Sequence, residues 1–150
     1  MGAPDKTLVL PPLSLYVHFP WCETKCPYCD FNSHALRDVL PEEDYCHVLL
    51  HDLKAISHYA QGRQLASVFF GGGTPSLFSA SVIAQVLEHA DKQIGLQENV
   101  EITLEANPGS ADVTRFSDYH SAGVTRLSLG VQSFSDTQLL ALGRIHNSLQ

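Results

Sequence analysis

Four short segments rich in β-branched, aromatic and aliphatic residues, Ser14 to Phe19, Ala66 to Phe70, Val100 to Glu105 and Arg126 to Gln132, are each followed by a stretch with helical spacing. They read as strands, because branched and aromatic side chains fit a pleated, half-buried surface. Glu42 to Ala60 puts Tyr45, Val48, Leu49, Leu53, Ile56 and Ala60 at helical spacing, and Ser79 to Ile94 does so with Val82, Ile83, Val86, Leu87 and Ala90. Shorter helices are expected over Ala111 to Ser121, stopped by Gly123, and over Ser135 to Leu142, opened by Ser135 as N-cap and stopped by Gly143. Strands that alternate with helices imply right-handed βαβ units and a parallel sheet, so the predicted class is α/β. Periodicity fits either a doubly wound sheet or part of a (β/α) barrel.

The 150 residues are 44% hydrophobic, enough for one core, and neither a linker nor a second domain is visible. A net charge of -7 argues against a nucleic acid backbone or an anionic membrane surface as the main partner. No apolar run approaches the roughly 20 residues of a membrane span. Met1 to Leu10 carries Pro4 and Asp5 where a signal peptide needs basic and then apolar residues, so a cytoplasmic protein is expected. Lys6 stands where a myristoylation signal after Gly2 needs Ser or Thr.

The unusual residues all follow the C-terminal ends of strands. Cys22, Cys26 and Cys29 follow the first, Gly71 to Thr74 the second, Glu105 and Asn107 the third, and Gln132 the fourth. In parallel α/β sheets and barrels that edge is where ligands bind. The spacing Cys22-x3-Cys26-x2-Cys29 places three thiols on one short loop, and an iron-sulfur cube held by three cysteines keeps one iron for another ligand. A zinc site using His18 or His34 is the alternative. Cys46, inside a helical pattern, reads as a small buried hydrophobe. Gly71, Gly72 and Gly73 let backbone approach a ligand, or simply form a tight turn with an N-cap at Thr74 or Ser79, and the lysine of a phosphate-binding loop is absent. Glu105 offers a carboxylate to a ligand amine or ribose, Gln132 an amide at the end of an alternating strand, and Arg144 a planar fork for a carboxylate. His18, Phe19, Pro20, Trp21 and Tyr28 form either an apolar wall around the cysteines or ordinary core.

Five stretches in order closely resemble the radical S-adenosylmethionine (radical SAM) superfamily, and within it the oxygen-independent coproporphyrinogen III oxidase group. They are Leu15-Tyr-Val-His-Phe-Pro-Trp-Cys22, Lys25-Cys-Pro-Tyr-Cys-Asp-Phe-Asn32, Phe70-Gly-Gly-Gly-Thr-Pro-Ser76, Leu104-Glu-Ala-Asn-Pro-Gly109, and Arg126-Leu-Ser-Leu-Gly-Val-Gln-Ser-Phe134 with Leu142-Gly-Arg-Ile-His146. The resemblance implies a partial (β/α) barrel, of which about four βα units are present in residues 1–150. This stretch is then the N-terminal portion of a radical SAM core domain, the rest of the barrel and a C-terminal domain lying outside it.

The resemblance also implies Cys22, Cys26 and Cys29 as ligands of a [4Fe-4S] cluster whose fourth iron takes the amino and carboxylate groups of S-adenosylmethionine. Tyr16, Gly72, Gly73, Thr74, Glu105, Gln132 and Arg144 match positions lining the S-adenosylmethionine site, and Tyr28 an aromatic near the adenine. The implied chemistry is reductive cleavage of the sulfonium with electrons from a donor protein. In the oxidases the resulting 5'-deoxyadenosyl radical abstracts hydrogen from porphyrinogen propionates. Those oxidases carry a further cysteine two positions after the third ligand, and here that position is Phe31. This departure favours the oxidase-like heme chaperones, with heme as cargo, over the oxidases.

Overall fold

In the computed structural model, residues 9–108 and 110–150 are described, with the side chains of 110–114 excepted. The readings above on Met1, Gly2, Pro4, Asp5, Lys6 and Gly109 lie outside the described residues. Four parallel strands, β1 (Leu13–Phe19), β4 (Leu65–Gly72), β5 (Leu96–Ala106) and β6 (Arg126–Leu129), form one sheet in the order β1-β4-β5-β6. A second, two-residue parallel ladder pairs β2 (Trp21–Cys22) with β3 (His34–Ala35). The helices are α1 (Glu42–Ile56), α2 (Ala80–Gln93), α3 (Ser110–Ser121) and α4 (Asp136–Ala141).

Register decides between the two architectures that the periodicity left open. Val17 lies beside Phe70 and Phe70 beside Leu104, while Val68 lies beside Ile102. These side chains share one sheet face, and all belong to a single buried cluster with Leu53 of α1, Val82, Ile83, Val86, Leu87 and Ala90 of α2, and Tyr119 of α3. The opposite parity carries Ser14, Tyr16 and His18 on β1, Ser67, Phe69 and Gly71 on β4, Glu101, Thr103 and Glu105 on β5, and Arg126 and Ser128 on β6. Helices packed on a single face and a largely polar second face make a barrel wall rather than a doubly wound sheet.

The inward stripe of α1 is rotated from the one that spacing suggests. Cys46 and Leu53 are buried, with Leu49 and Leu50 packed beside them, whereas Val48 is 54% and Ile56 47% exposed. Cys46 is therefore a core residue, as its helical setting implies. The helix gives way after Ile56 to a 3-10 turn, Ser57–Ala60, that buries Ala60. Ser79 caps α2 by accepting from Val82 N–H at 3.4 Å, so the N-cap read at Thr74 or Ser79 belongs to Ser79. Ser135 occupies the N-cap position of α4 without a side-chain capping bond.

The fourth strand is shorter than predicted, ending at Leu129 rather than Gln132. Gly130 N–H still bonds Ala106 O at 3.0 Å, but Val131 N–H then bonds back to Leu129 O and Ser133 N–H to Val131 O. Gln132 between them takes a left-handed φ of 63°. The chain curls away from the ladder.

Phe78 seals the barrel wall under the loops, fully buried with its ring 4.4 Å from Phe19 and 5.8 Å from Tyr45. Phe78→Ala is expected to cost about 3–5 kcal/mol in a denaturant titration, from lost burial and the cavity it leaves. A loss under about 1 kcal/mol would contradict this packing.

Candidate functional site

The cysteine loop is closed at its base by backbone. His34 N–H donates to Pro20 O at 2.9 Å and Leu36 N–H to Cys22 O at 2.7 Å, so the β2-β3 ladder holds both ends of the loop. Inside it Cys29 N–H bonds Cys26 O at 3.1 Å, and the Lys25 ammonium reaches the carbonyls of Ser33 at 2.6 Å and Phe31 at 3.2 Å. His18 Nε2 donates to Asn32 O at 2.8 Å while Nδ1 accepts from Tyr16 Oη–H at 3.0 Å, the tautomer following from the carbonyl's inability to donate. Tyr45 on α1 donates to His18 O at 2.7 Å and braces the end of β1.

The glycine loop lies directly against this base. Gly73 N–H bonds Phe19 O and Thr74 N–H bonds Trp21 O, each at 2.7 Å. A Cβ on Gly73 would stand 2.4 Å from Trp21 O and 3.0 Å from Cys22 Sγ, so no other residue fits without moving the backbone. Close approach, and not a phosphate cradle, is what this glycine serves. Gly72 N–H donates to Glu105 Oε2 at 3.1 Å, joining the second loop to the third. Burial raises the Glu105 carboxyl above the usual glutamate range, opposed by that hydrogen bond and by His18.

These contacts gather Cys22, Cys26, Cys29 and Tyr28 with Gly72, Gly73, Thr74, Glu105, Gln132 and Arg144 around a single cavity of about 420 Å3, within the range usual for small-molecule sites. Tyr16 is not among its walls. One pleat repeat behind His18, it is 57% exposed, stacks on Phe69 and reaches the site through His18. Gln132 arrives by its left-handed turn and not by strand alternation. Phe19 and Trp21 are core: Trp21 packs edge-on against Tyr45 at 4.8 Å, leaving Tyr28 as the wall residue of the predicted aromatic set. The cavity also includes Asn107, already marked by its place after the third strand, and Phe31, the departure within the cysteine motif, together with Ser128 and Gly130, which residue types alone did not single out.

Residues 16–149 match the family model described as the radical SAM superfamily, and the chain belongs to that superfamily. It is 57% identical over 145 residues to the heme chaperone HemW of Haemophilus influenzae, covering 94% of this chain and 38% of that protein. It is 55% identical to the heme chaperone HemW of Escherichia coli over 91% of this chain and 36% of that one. The solved structure of coproporphyrinogen III oxidase (HemN) from Escherichia coli, described as a radical SAM enzyme, matches with a TM-score of 0.73 and 28% identity, covering 91% of this chain and 31% of that chain. The chain thus spans under two fifths of the length of these relatives.

Membership implies a [4Fe-4S] cluster and S-adenosylmethionine, and the donor set fits them. All three loop cysteines are free thiols facing one cavity. Arg144 lines the same cavity, its Nη1 donating to Cys26 Sγ at 3.4 Å, and its planar guanidinium is the fork suited to a ligand carboxylate. Both nitrogens of His18 are engaged in hydrogen bonds, so His18 is not poised to complete a zinc site with these thiols. Three thiols on one cavity suit a cluster in which each binds a different iron.

Glu105 yields a pH test. Its raised carboxyl penalises the folded state as pH climbs through the window above the ordinary glutamate value of about 4.3. Glu105→Gln keeps an acceptor for Gly72 N–H and lacks that penalty. Thermal melts of the cluster-free chain are expected to show the variant gaining on the wild type as pH rises above about 4, with the difference vanishing at the acid end. A difference that shrinks as pH rises would contradict the raised carboxyl.

Proposed function

We propose that this chain is the cluster- and S-adenosylmethionine-binding part of a heme chaperone that works in heme trafficking in the cytoplasm. Cys22, Cys26 and Cys29 hold the cluster. Gly72, Gly73 and Thr74 line S-adenosylmethionine with backbone, Glu105 accepts from its amine or ribose, Gln132 offers its amide, Arg144 takes its carboxylate, and Tyr28 lies by the adenine. Tyr16 supports the site through its hydrogen bond to His18. When bound, the cluster and S-adenosylmethionine together supply reductive sulfonium cleavage with electrons from a donor protein. The chain's own contribution is to orient these groups and to line the cavity with the apolar surfaces of Tyr28, Phe31 and Leu129.

Phe31 carries the choice of chaperone over oxidase, and the similarity to named relatives supports it. Phe31, 60% exposed, lines the cavity where the oxidases carry their further cysteine, and the relatives named heme chaperone are 57% and 55% identical against 28% for the oxidase. An aromatic side chain on the cavity wall suits a flat hydrophobic cargo better than a fourth thiol does.

The test is anaerobic reconstitution of the chain in its natural reading frame, followed by heme titration and product analysis with coproporphyrinogen III. The expected outcome is about four irons per chain, saturable heme binding and no protoporphyrinogen, with Cys22→Ala losing most of the iron. Unchanged iron in Cys22→Ala, absence of heme binding, or formation of protoporphyrinogen would each overturn the reading.

A further inference from the structure

Arg144 lies far along the chain from the cysteine loop, on the segment after α4, yet its guanidinium spans three loops. Nη1 donates to Cys26 Sγ at 3.4 Å, and Nη2 donates both to Asn107 Oδ1 at 2.7 Å and to Gly130 O at 2.8 Å. Arginine has no acceptor, so the Asn107 oxygen must face it and the amide nitrogen must point away. That nitrogen donates to Thr74 Oγ1 at 3.2 Å, and Thr74 N–H is bonded to Trp21 O. A closed path therefore runs from the cysteine loop through Thr74, Asn107 and Arg144 back to Cys26.

We propose that Asn107 is a positioning residue of the site: its amide, anchored on Thr74, holds the Arg144 guanidinium against the cysteine loop in the pose that receives a ligand carboxylate. The inference rests on the proposed S-adenosylmethionine site and extends it to a residue of the same wall whose side chain bonds Arg144 and Thr74. Close packing supports it independently. A Cβ on Gly130 would stand 3.3 Å from Asn107 Oδ1, 3.3 Å from Gln132 Nε2 and 3.5 Å from Arg144 Nη2, so these three polar groups meet where a side chain has been removed. An arginine carries several rotatable bonds, and without a fixed acceptor the head group swings out to water. Aspartate in place of Asn107 keeps the acceptor toward Arg144 and gives up the donor toward Thr74; leucine removes both at similar volume.

The experiment compares wild type, Asn107→Asp and Asn107→Leu after anaerobic reconstitution. Iron and sulfide are counted first, and S-adenosylmethionine is then titrated while the electron paramagnetic resonance spectrum of the reduced cluster is followed. Asn107→Leu is expected to hold as much iron as wild type but to bind S-adenosylmethionine at least about tenfold more weakly, the change that accompanies loss of one hydrogen bond to a charged group. Asn107→Asp is expected to remain within about threefold of wild type, a rescue that a volume or folding effect would not produce. Wild-type affinity in Asn107→Leu, or equal losses in both variants, would overturn the positioning role. Loss of iron in Asn107→Leu would overturn it too, since the residue would then serve the loop's fold. A wild type that takes up iron yet shows no spectral response to S-adenosylmethionine would instead overturn the underlying site, and this inference with it.

Discussion

Two backbone hydrogen bonds, Gly73 N–H to Phe19 O and Thr74 N–H to Trp21 O, join the end of the first strand to the loop after the second. Each contributes only about 0.5–1.5 kcal/mol net, but together they fix the distance between the cysteine loop and everything else in the cavity. They form only because Gly73 has no Cβ, since one would collide with Trp21 O. From this seam the remaining contacts follow in sequence: Gly72 to Glu105, Thr74 to Asn107, Asn107 to Arg144, and Arg144 back to Cys26. Four loops that are distant in the chain become one wall.

The seam has its strength from below. Phe19, Trp21, Tyr45 and Phe78 interlock, with ring centroids from 4.4 to 5.9 Å apart, and Arg115 and Tyr119 of α3 clamp the carbonyls of Ser76 and Phe78. The aromatic residues beside the cysteines thus hold the loops up from the core side. The polar sheet face, with Tyr16, His18, Glu101, Thr103 and Arg126, stays on the other side, where a closing barrel keeps its interior. Arg126 there pairs with Glu101 at 3.3 Å and donates to Thr103 Oγ1 at 2.8 Å.

Much of this was legible in the sequence because it rests on local signals. Strand periodicity, the helical stripe of α2 and the tight cysteine spacing each reflect neighbours in the chain, and the position of odd residues after strand ends placed the site. Less local features were not legible. Spacing could not tell barrel from doubly wound sheet, since that depends on which sheet face the helices share, and the resemblance made that choice. The α1 stripe was misjudged by one position because Cys46 and Leu50 bury as well as their neighbours do. Gln132 reaches the cavity through a left-handed turn for which a non-glycine residue carries no plain signal, and Asn107, whose place after a strand end was legible, bonds partners 33 and 37 residues away that no local pattern names.

The central claim is that the three-cysteine loop and the loops of the other strands form one site, in which a cluster iron meets S-adenosylmethionine. The most direct measurement is electron-nuclear double resonance of the reduced, reconstituted chain with S-adenosylmethionine labelled with nitrogen-15 at its amino group. The account predicts a nitrogen-15 hyperfine coupling large enough to require bonding to an iron of the cluster. An intact cluster with bound S-adenosylmethionine and no such coupling would contradict it.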